Sequence, residues 1–190
     1  MLAAAPAEEK LDPRVKRTRG LILASFDSLL AEKNFENISV QDVTDKAQIN
    51  RATFYAHFQD KYVLLETFIS KMFMQDIEKR TLNVCSYSSD NLRNLILAVC
   101  EFLGRLHTSC AQPHQQFESL VESTIKKKVF DLLSYWLRKS KVPTDIPATV
   151  ATWAIYGLAS HYSHMKKRPI LDKFVDEAFP LVAVNLEQFA

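Results

Sequence analysis

Apolar positions along the chain recur with a helical period, and no strand-like alternation persists anywhere. Val15, Ile22, Phe26, Leu29 and Leu30 form one stripe and predict a first helix opened by Asp12-Pro13. An aspartate there accepts from the first free N–H groups, and a proline at the first helical position has its φ pre-set. Asn34, which tolerates the left-handed conformation, is expected to close that helix in it. Phe35 and Ile38 then fold back on the stripe. Ser39-Val40-Gln41-Asp42 opens a short second helix with Val40, Val43 and Ala47 inward, and Asp42 stands where a capping-box acid belongs. Ala47-Gln48-Ile49 makes a tight turn, and Asn50 caps a third helix running through Phe58. Asp60 caps a longer fourth helix, with Leu64, Leu65, Phe68 and Met72 on one side, to about Arg80.

Residues 81–90 are polar and lack a period, which marks a boundary. Beyond it the pattern predicts helices over roughly 91–108, 114–140, 145–166 and 172–189, separated at Pro113, Pro143 and Pro169. Pro180 falls inside the last of these and should kink it. The expected fold is all-α: a flexible tail over 1–12, a three-helix N-terminal domain over 13–59, a connecting helix over 60–80 and a helical bundle over 81–190.

Composition supports long helices, since 190 residues include only 3 Gly and 7 Pro. The formal net charge of +2 neither demands nor forbids a polyanionic partner, so any nucleic-acid reading rests on where the charges sit. Three cysteines, Cys85, Cys100 and Cys110, show no framework spacing, which fits a reduced, intracellular chain. The first ten residues carry Glu8 and Glu9 and no extended apolar run, so they are read as neither signal peptide nor membrane span. No stretch approaches the roughly 20 apolar residues that cross a bilayer. A cytoplasmic protein without membrane association is expected.

The short helix, tight turn and short helix of residues 39–58 have the layout of a helix-turn-helix, whose second helix enters the major groove. Phe54 and Phe58, four apart, anchor that helix. Arg51, Thr53, Tyr55 and His57 are left for its outer side, where Arg can chelate a guanine edge and the others can meet bases or phosphates. The bland alternative is two helices of a generic bundle.

The run from Ser39 to Phe58, with Thr53-Phe54-Tyr55-Ala56-His57-Phe58 followed by Lys61, resembles the signature of the tetracycline-repressor (TetR) family. The resemblance covers residues 14–80. It implies a DNA-binding helix-turn-helix with Asn50, Arg51, Thr53 and Tyr55 on the recognition helix, and Tyr55, His57 and Lys61 on phosphates. Ser39 and Gln41 would hold the backbone from the start of the second helix. Arg14, Lys16, Arg17 and Arg19 would reach the minor groove or a phosphate, unless they are merely a solvated face. Two positions depart from the family pattern: Gln48 and Asn34 both stand where it usually has glycine. Gln48 must therefore accept the turn conformation at some strain.

For the C-terminal part the resemblance extends to layout alone, and implies a ligand-sensing bundle whose last two helices build a homodimer. Ala151, Ala154, Gly157, Ala159 and Ser160 are small enough for close helix approach. With Leu158, Phe179, Val182 and Leu186, residues of this stretch form the candidate interface, though ordinary core accounts for some of them. Phe102, His107, Phe117, Trp136, Trp153, Tyr156 and His161 offer the mix of apolar wall and few polar groups that a pocket for an apolar or aromatic effector needs. Plain core is the competing reading for these aromatics.

His107, Cys110 and His114 match no common metal spacing, and Pro113 interrupts them, so neither metal nor cofactor is expected. The absence of a Gly-rich phosphate loop or nucleophile elbow argues against an enzyme. Lys126-Lys127-Lys128 and Lys166-Lys167-Arg168 read as solvated faces. The resulting expectation is a ligand-responsive repressor that binds near-palindromic double-stranded DNA as a homodimer. Its alternative is a constitutive or protein-partner-controlled DNA-binding dimer.

Overall fold

The computed structural model describes residues 12–80, 86–109, 115–138 and 143–187, and among these it contains α-helices, one 3-10 turn and no strand. Helix α1 (Pro13–Glu32) begins as its sequence predicts: the Asp12 carboxylate accepts from Arg14 N at 2.7 Å, and Pro13 occupies the first turn. Ile22, Leu23, Phe26 and Leu29 bury its inner face. It ends at Lys33, and Asn34 is extended (φ −62°, ψ 147°), so the expected left-handed closure does not occur. The 3-10 turn at Phe35–Asn37 reverses the chain instead, with Phe35 and Ile38 driven into the core.

Helix α2 (Val40–Ala47) carries a complete capping box. Ser39 Oγ accepts from Asp42 N at 3.1 Å, and the Asp42 carboxylate accepts from Ser39 N at 2.7 Å. Gln48 closes it in the left-handed region (φ 54°, ψ 43°), the one non-glycine residue with positive φ among those described. Glycine reaches that region freely, whereas a residue with a Cβ gives up about 1–2 kcal/mol there. Helix α3 (Arg51–His57) follows, then α4 (Lys61–Arg80), α5 (Ser89–Ser109), α6 (Gln115–Leu137), α7 (Asp145–His164) and α8 (Leu171–Ala183).

One apolar core runs without a break from Ile22 to Leu186. Leu64 and Leu65 of α4 face the N-terminal helices, and Ile69, Phe73 and Ile77 further along meet α5 and α6. Arg80 pairs with Glu101 and Arg105 with Asp76, which ties α4 to α5 at its far end. The α5–α7 contact is the most extensive in the bundle, and Ala148, Ala151 and Ala159 make it possible by presenting only methyl groups. Helix α8 stops at Ala183, well short of the expected end at 189. Pro180 supplies no N–H to its fourth-preceding carbonyl, and a tight turn over Val184–Leu186 replaces the helix. Cys100 is buried, and its thiol is pushed up to about 12 by that burial and then by Glu101. Cys85, Cys110 and His114 lie outside the described residues. None of the helices described is long and apolar enough to cross a membrane.

Candidate functional site

Two features stand out: the outer face of α3 and a cavity in the bundle. Helix α3 is held from beneath and at both ends. Phe54 and Phe58 are 0% and 1% exposed. Burial of side chains of that size stabilises by about 1.5–3 kcal/mol each, enough to fix the face a two-turn helix presents. At the N-terminus Asn50 Oδ1 accepts from Thr53 N at 2.7 Å and from the Thr53 hydroxyl at 2.9 Å. At the C-terminus Arg19 of α1 donates to the His57 carbonyl at 3.1 Å while its guanidinium lies 4.6 Å from the Phe58 ring centre. A cation at that end also suits the helix dipole.

Arg51 and Tyr55 are left pointing outward, and Tyr55, 52% exposed, rests edge-on against Phe54. His57 is half-buried, and its imidazole pKa is held below the ordinary value by burial first and by Arg19 second. Of the expected DNA-contacting residues, Arg51, Tyr55 and Arg17 are presented to solvent. Ser39 and Asn50 cap helices, Gln41 donates to Asp45 at 2.6 Å, and Thr53 joins the Asn50 cap. Asp42, bound by Lys33 at 2.8 Å and by Ser39, is held well below the usual carboxylate range by those bonds.

Lys61 differs most from its expected part. Its ammonium donates to the carbonyls of Phe35, Glu36 and Ile38 at 3.2, 3.0 and 2.9 Å and lies 4.7 Å from the Phe35 ring centre. All three protons are committed inside the domain, where they secure the turn that leads into α2. The sequence signal for this was the motif lysine itself, and only the three-dimensional path of residues 35–38 reveals its partners.

The cavity lies between α5, α6 and α7, with a volume of about 190 Å³. Its apolar wall is Leu103, Leu106, Phe117 and Val121, and its polar side includes His107, His164, Glu118, Glu122 and Ser160. Tyr156 completes it. His107, Phe117 and Tyr156 are thus brought together as expected. The other four candidates are not. Phe102 and Trp136 are buried core, Phe102 against Phe73 at 5.4 Å between ring centres. Trp153, one turn before Tyr156, stays outside the cavity lining and is 60% exposed, with the Lys126 ammonium 3.1 Å from its ring centre, and His161 is exposed. His164, stacked 4.7 Å from His107, was missed, as were Glu118 and Glu122. Lys126 is no solvated residue either: it pairs with Glu122 and is mostly covered. Arg168 likewise turns inward, donating to the Ser163 carbonyl at 2.6 Å. Among the described residues no cluster of three or more metal-ligating side chains forms.

The candidate dimer residues divide. Gly157 is exposed and Ala154, Leu158 and Phe179 are half-buried, but Val182 and Leu186 are fully buried within the protomer because α8 packs that edge on α5. The outward side of α7 instead carries Ile146 (77% exposed), Val150, Trp153 and Gly157 at spacings of three and four, beside Leu181 and Val184 of α8.

The α2–turn–α3 unit on an all-helical bundle has the layout of a helix-turn-helix, and comparison with known proteins finds the same likeness. Residues 22–68 match the profile of the bacterial regulatory proteins of the tetR family. The chain is 40% identical over 76 residues to an uncharacterised helix-turn-helix transcriptional regulator, YxbF, of Bacillus subtilis, covering 40% of this chain and 20% of that one. It is 30% identical over 129 residues to another from Haemophilus influenzae, covering 63% of each. The match therefore spans a fifth of the first relative's length and less than two thirds of the second's.

Among solved structures, a TetR-family regulator of Streptomyces coelicolor A3 superposes with a TM-score of 0.64 at 15% identity, covering 93% of this chain and 98% of that one. RolR in complex with resorcinol gives 0.55 at 14%, covering 93% and 97%. The regulator FadR of Bacillus subtilis in complex with stearoyl-CoA gives 0.54 at 12%, covering 88% and 98%. At those identities the likeness is one of fold. The tetR likeness is carried by residues 22–68, and over the rest of the chain the likeness is one of fold.

Proposed function

We propose that this chain is a ligand-responsive repressor that binds a near-palindromic operator as a homodimer and is released from it by a small effector. The observation that carries the DNA half is the construction of α3: a two-turn helix anchored by Phe54 and Phe58 and capped at both ends, with Arg51 and Tyr55 aimed at solvent. In the DNA complex Arg51 reads a base edge in the major groove, while Tyr55 and Arg17 meet phosphates and Lys61 positions the reading unit from behind. The outward apolar side of α7 and α8 joins two copies, so that two recognition helices address half-sites about one DNA turn, ~34 Å, apart.

The cavity is the effector site on this reading. Bound resorcinol and stearoyl-CoA in two proteins of the same fold support it, and so does a contact within this chain. Phe117, in the cavity wall, lies 6.1 Å from Phe35 between ring centres, and Phe35 sits beneath the Lys61 ammonium at the entry to α2. An occupant that displaces Phe117 moves the turn on which the reading unit rests, in addition to any tilt of α4.

Selection of duplexes from a random pool, followed by titration at several salt concentrations, tests the DNA half. The expected result is an inverted-repeat site bound far more tightly than random sequence, with affinity falling steeply with salt. Arg51→Ala relaxes base preference by about 1–3 kcal/mol at one position of each half-site. Equal binding to selected and random duplexes overturns the reading.

A further inference from the structure

The cavity has two unequal sides, and their chemistry narrows what fits. One side is hydrocarbon: Leu103, Leu106, Phe117 and Val121. The other is dominated by groups that accept protons or attract cations. Glu118 and Glu122 stand one turn apart on α6. On α7, His164 Nδ1 lies 2.7 Å from the Ser160 carbonyl oxygen. A carbonyl only accepts, so Nδ1 carries a proton in this contact.

No lysine or arginine lines the cavity among the described residues. Lys126, one turn beyond Glu122, is spent on that carboxylate and on the rings of Trp153 and Tyr156. Glu118 has no such internal cation among the described residues. The negative field of this pair reaches the Tyr156 hydroxyl, whose pKa is pushed up to about 12 by burial first, then by Glu122 and Glu118. Lys126 Nζ, 4.9 Å from the Tyr156 ring centre, also demonstrates that this end of the site accommodates an ammonium.

Size supplies the remaining constraint. An apolar cavity of about 150 Å³ takes a benzene ring. One of about 190 Å³ therefore takes a ring with a short substituent. The geometry points to a small organic cation as the occupant, a single aromatic ring bearing a protonated amine, with the ring against Phe117 and Val121 and the ammonium at Glu118. This inference rests on reading the cavity as the effector site and deepens that reading. An anionic ligand would meet the Glu118 carboxylate, which no ion pair among the described residues offsets, and an uncharged one would gain nothing from it.

Three probes of one shape decide it: 2-phenylethylamine, 2-phenylethanol and phenylacetate, each titrated calorimetrically into the full-length protein at pH 7.5. The expected order is amine first by at least tenfold, alcohol second and carboxylate undetectable. Glu118→Gln, checked for unchanged helicity, should remove the amine's advantage and leave the alcohol's affinity within twofold. An alcohol or carboxylate that binds as well as the amine overturns the inference, as does an amine preference untouched by Glu118→Gln, or failure of all three to bind. Each titration is repeated on the operator complex, which separates the two readings. Amine binding with the stated preference but without effect on DNA affinity keeps the cationic site and removes the effector role. A carboxylate that binds and releases DNA does the reverse.

Discussion

Gly157 offers an unusually clean test of the dimer, because the protomer and the assembly predict opposite signs for one substitution. It lies in the interior of α7 and is exposed, and a Cβ built on it meets nothing within 4 Å. Within a single chain, replacing it with leucine therefore adds no clash and removes a helix-interior glycine. The difference in helix propensity amounts to about 0.7 kcal/mol in favour of leucine. For a chain of this size that raises the thermal midpoint by roughly 2 °C.

If instead this side of α7 faces its symmetry mate, the leucine enters a close contact between Val150, Trp153 and their counterparts, once from each copy. Overpacking of that kind costs about 1–3 kcal/mol per copy, a tenfold weakening of association for roughly every 1.4 kcal/mol. Sedimentation equilibrium across a concentration series reads the dissociation constant directly, and a thermal melt at the lowest concentration reads the protomer. The expected outcome for Gly157→Leu is association weakened at least tenfold while the dilute protein melts no lower than wild type. A variant that keeps the wild-type dissociation constant would refute the placement of α7 at the interface. One that melts lower even when dilute would refute the account of Gly157 as open.

Three further outcomes follow from the same geometry. Lys61→Met strands three part-buried carbonyls, which costs about 2–3 kcal/mol of stability. It should leave the slope of log affinity against log salt unchanged, whereas loss of a phosphate contact would flatten that slope by about 0.9. Phe117→Leu preserves an apolar cavity wall but removes the ring contact with Phe35, so the effector should still bind while its effect on operator affinity shrinks. Reciprocal titrations measure that coupling. Asp42→Asn should lower the melting temperature at pH 7. The folded carboxyl is held below its unfolded value, so its contribution is complete above the ordinary carboxylate range and is lost as pH falls through the folded value. The gap between wild type and Asp42→Asn should therefore close on acidification.

The N-terminal helices were legible from sequence because their determinants are local. A cap such as Asp12, Ser39 or Asn50 acts on N–H groups two or three residues away, and a stripe such as Ile22, Phe26 and Leu29 defines its own inner face. The strained turn at Gln48 was legible for the same reason. The cavity depends instead on how three helices are rotated against one another, and side-chain size is a poor guide to that. Phe102 and Trp136 fill the core, while Trp153 on α7 turns outward towards Lys126 and Tyr156, one turn further on, faces the cavity. Charged residues such as Glu118 and Glu122 carry no periodic signal that separates a cavity wall from a solvent face. Val182 and Leu186 are buried in their own protomer because the inner side of α8 and the turn that follows it pack into the common core.

The contact between Phe35 and Phe117 has a mechanical consequence. With α4 alone as the link, the reading unit would be a flag on a pole, free to swing in several directions. A second attachment, offset from the pole, turns it into a door. A body fastened at two separated points keeps one easy rotation, about the line that joins them. The direction in which the two reading heads part would then be set by where those hinges lie, and an occupant of the cavity would choose only how far the door opens.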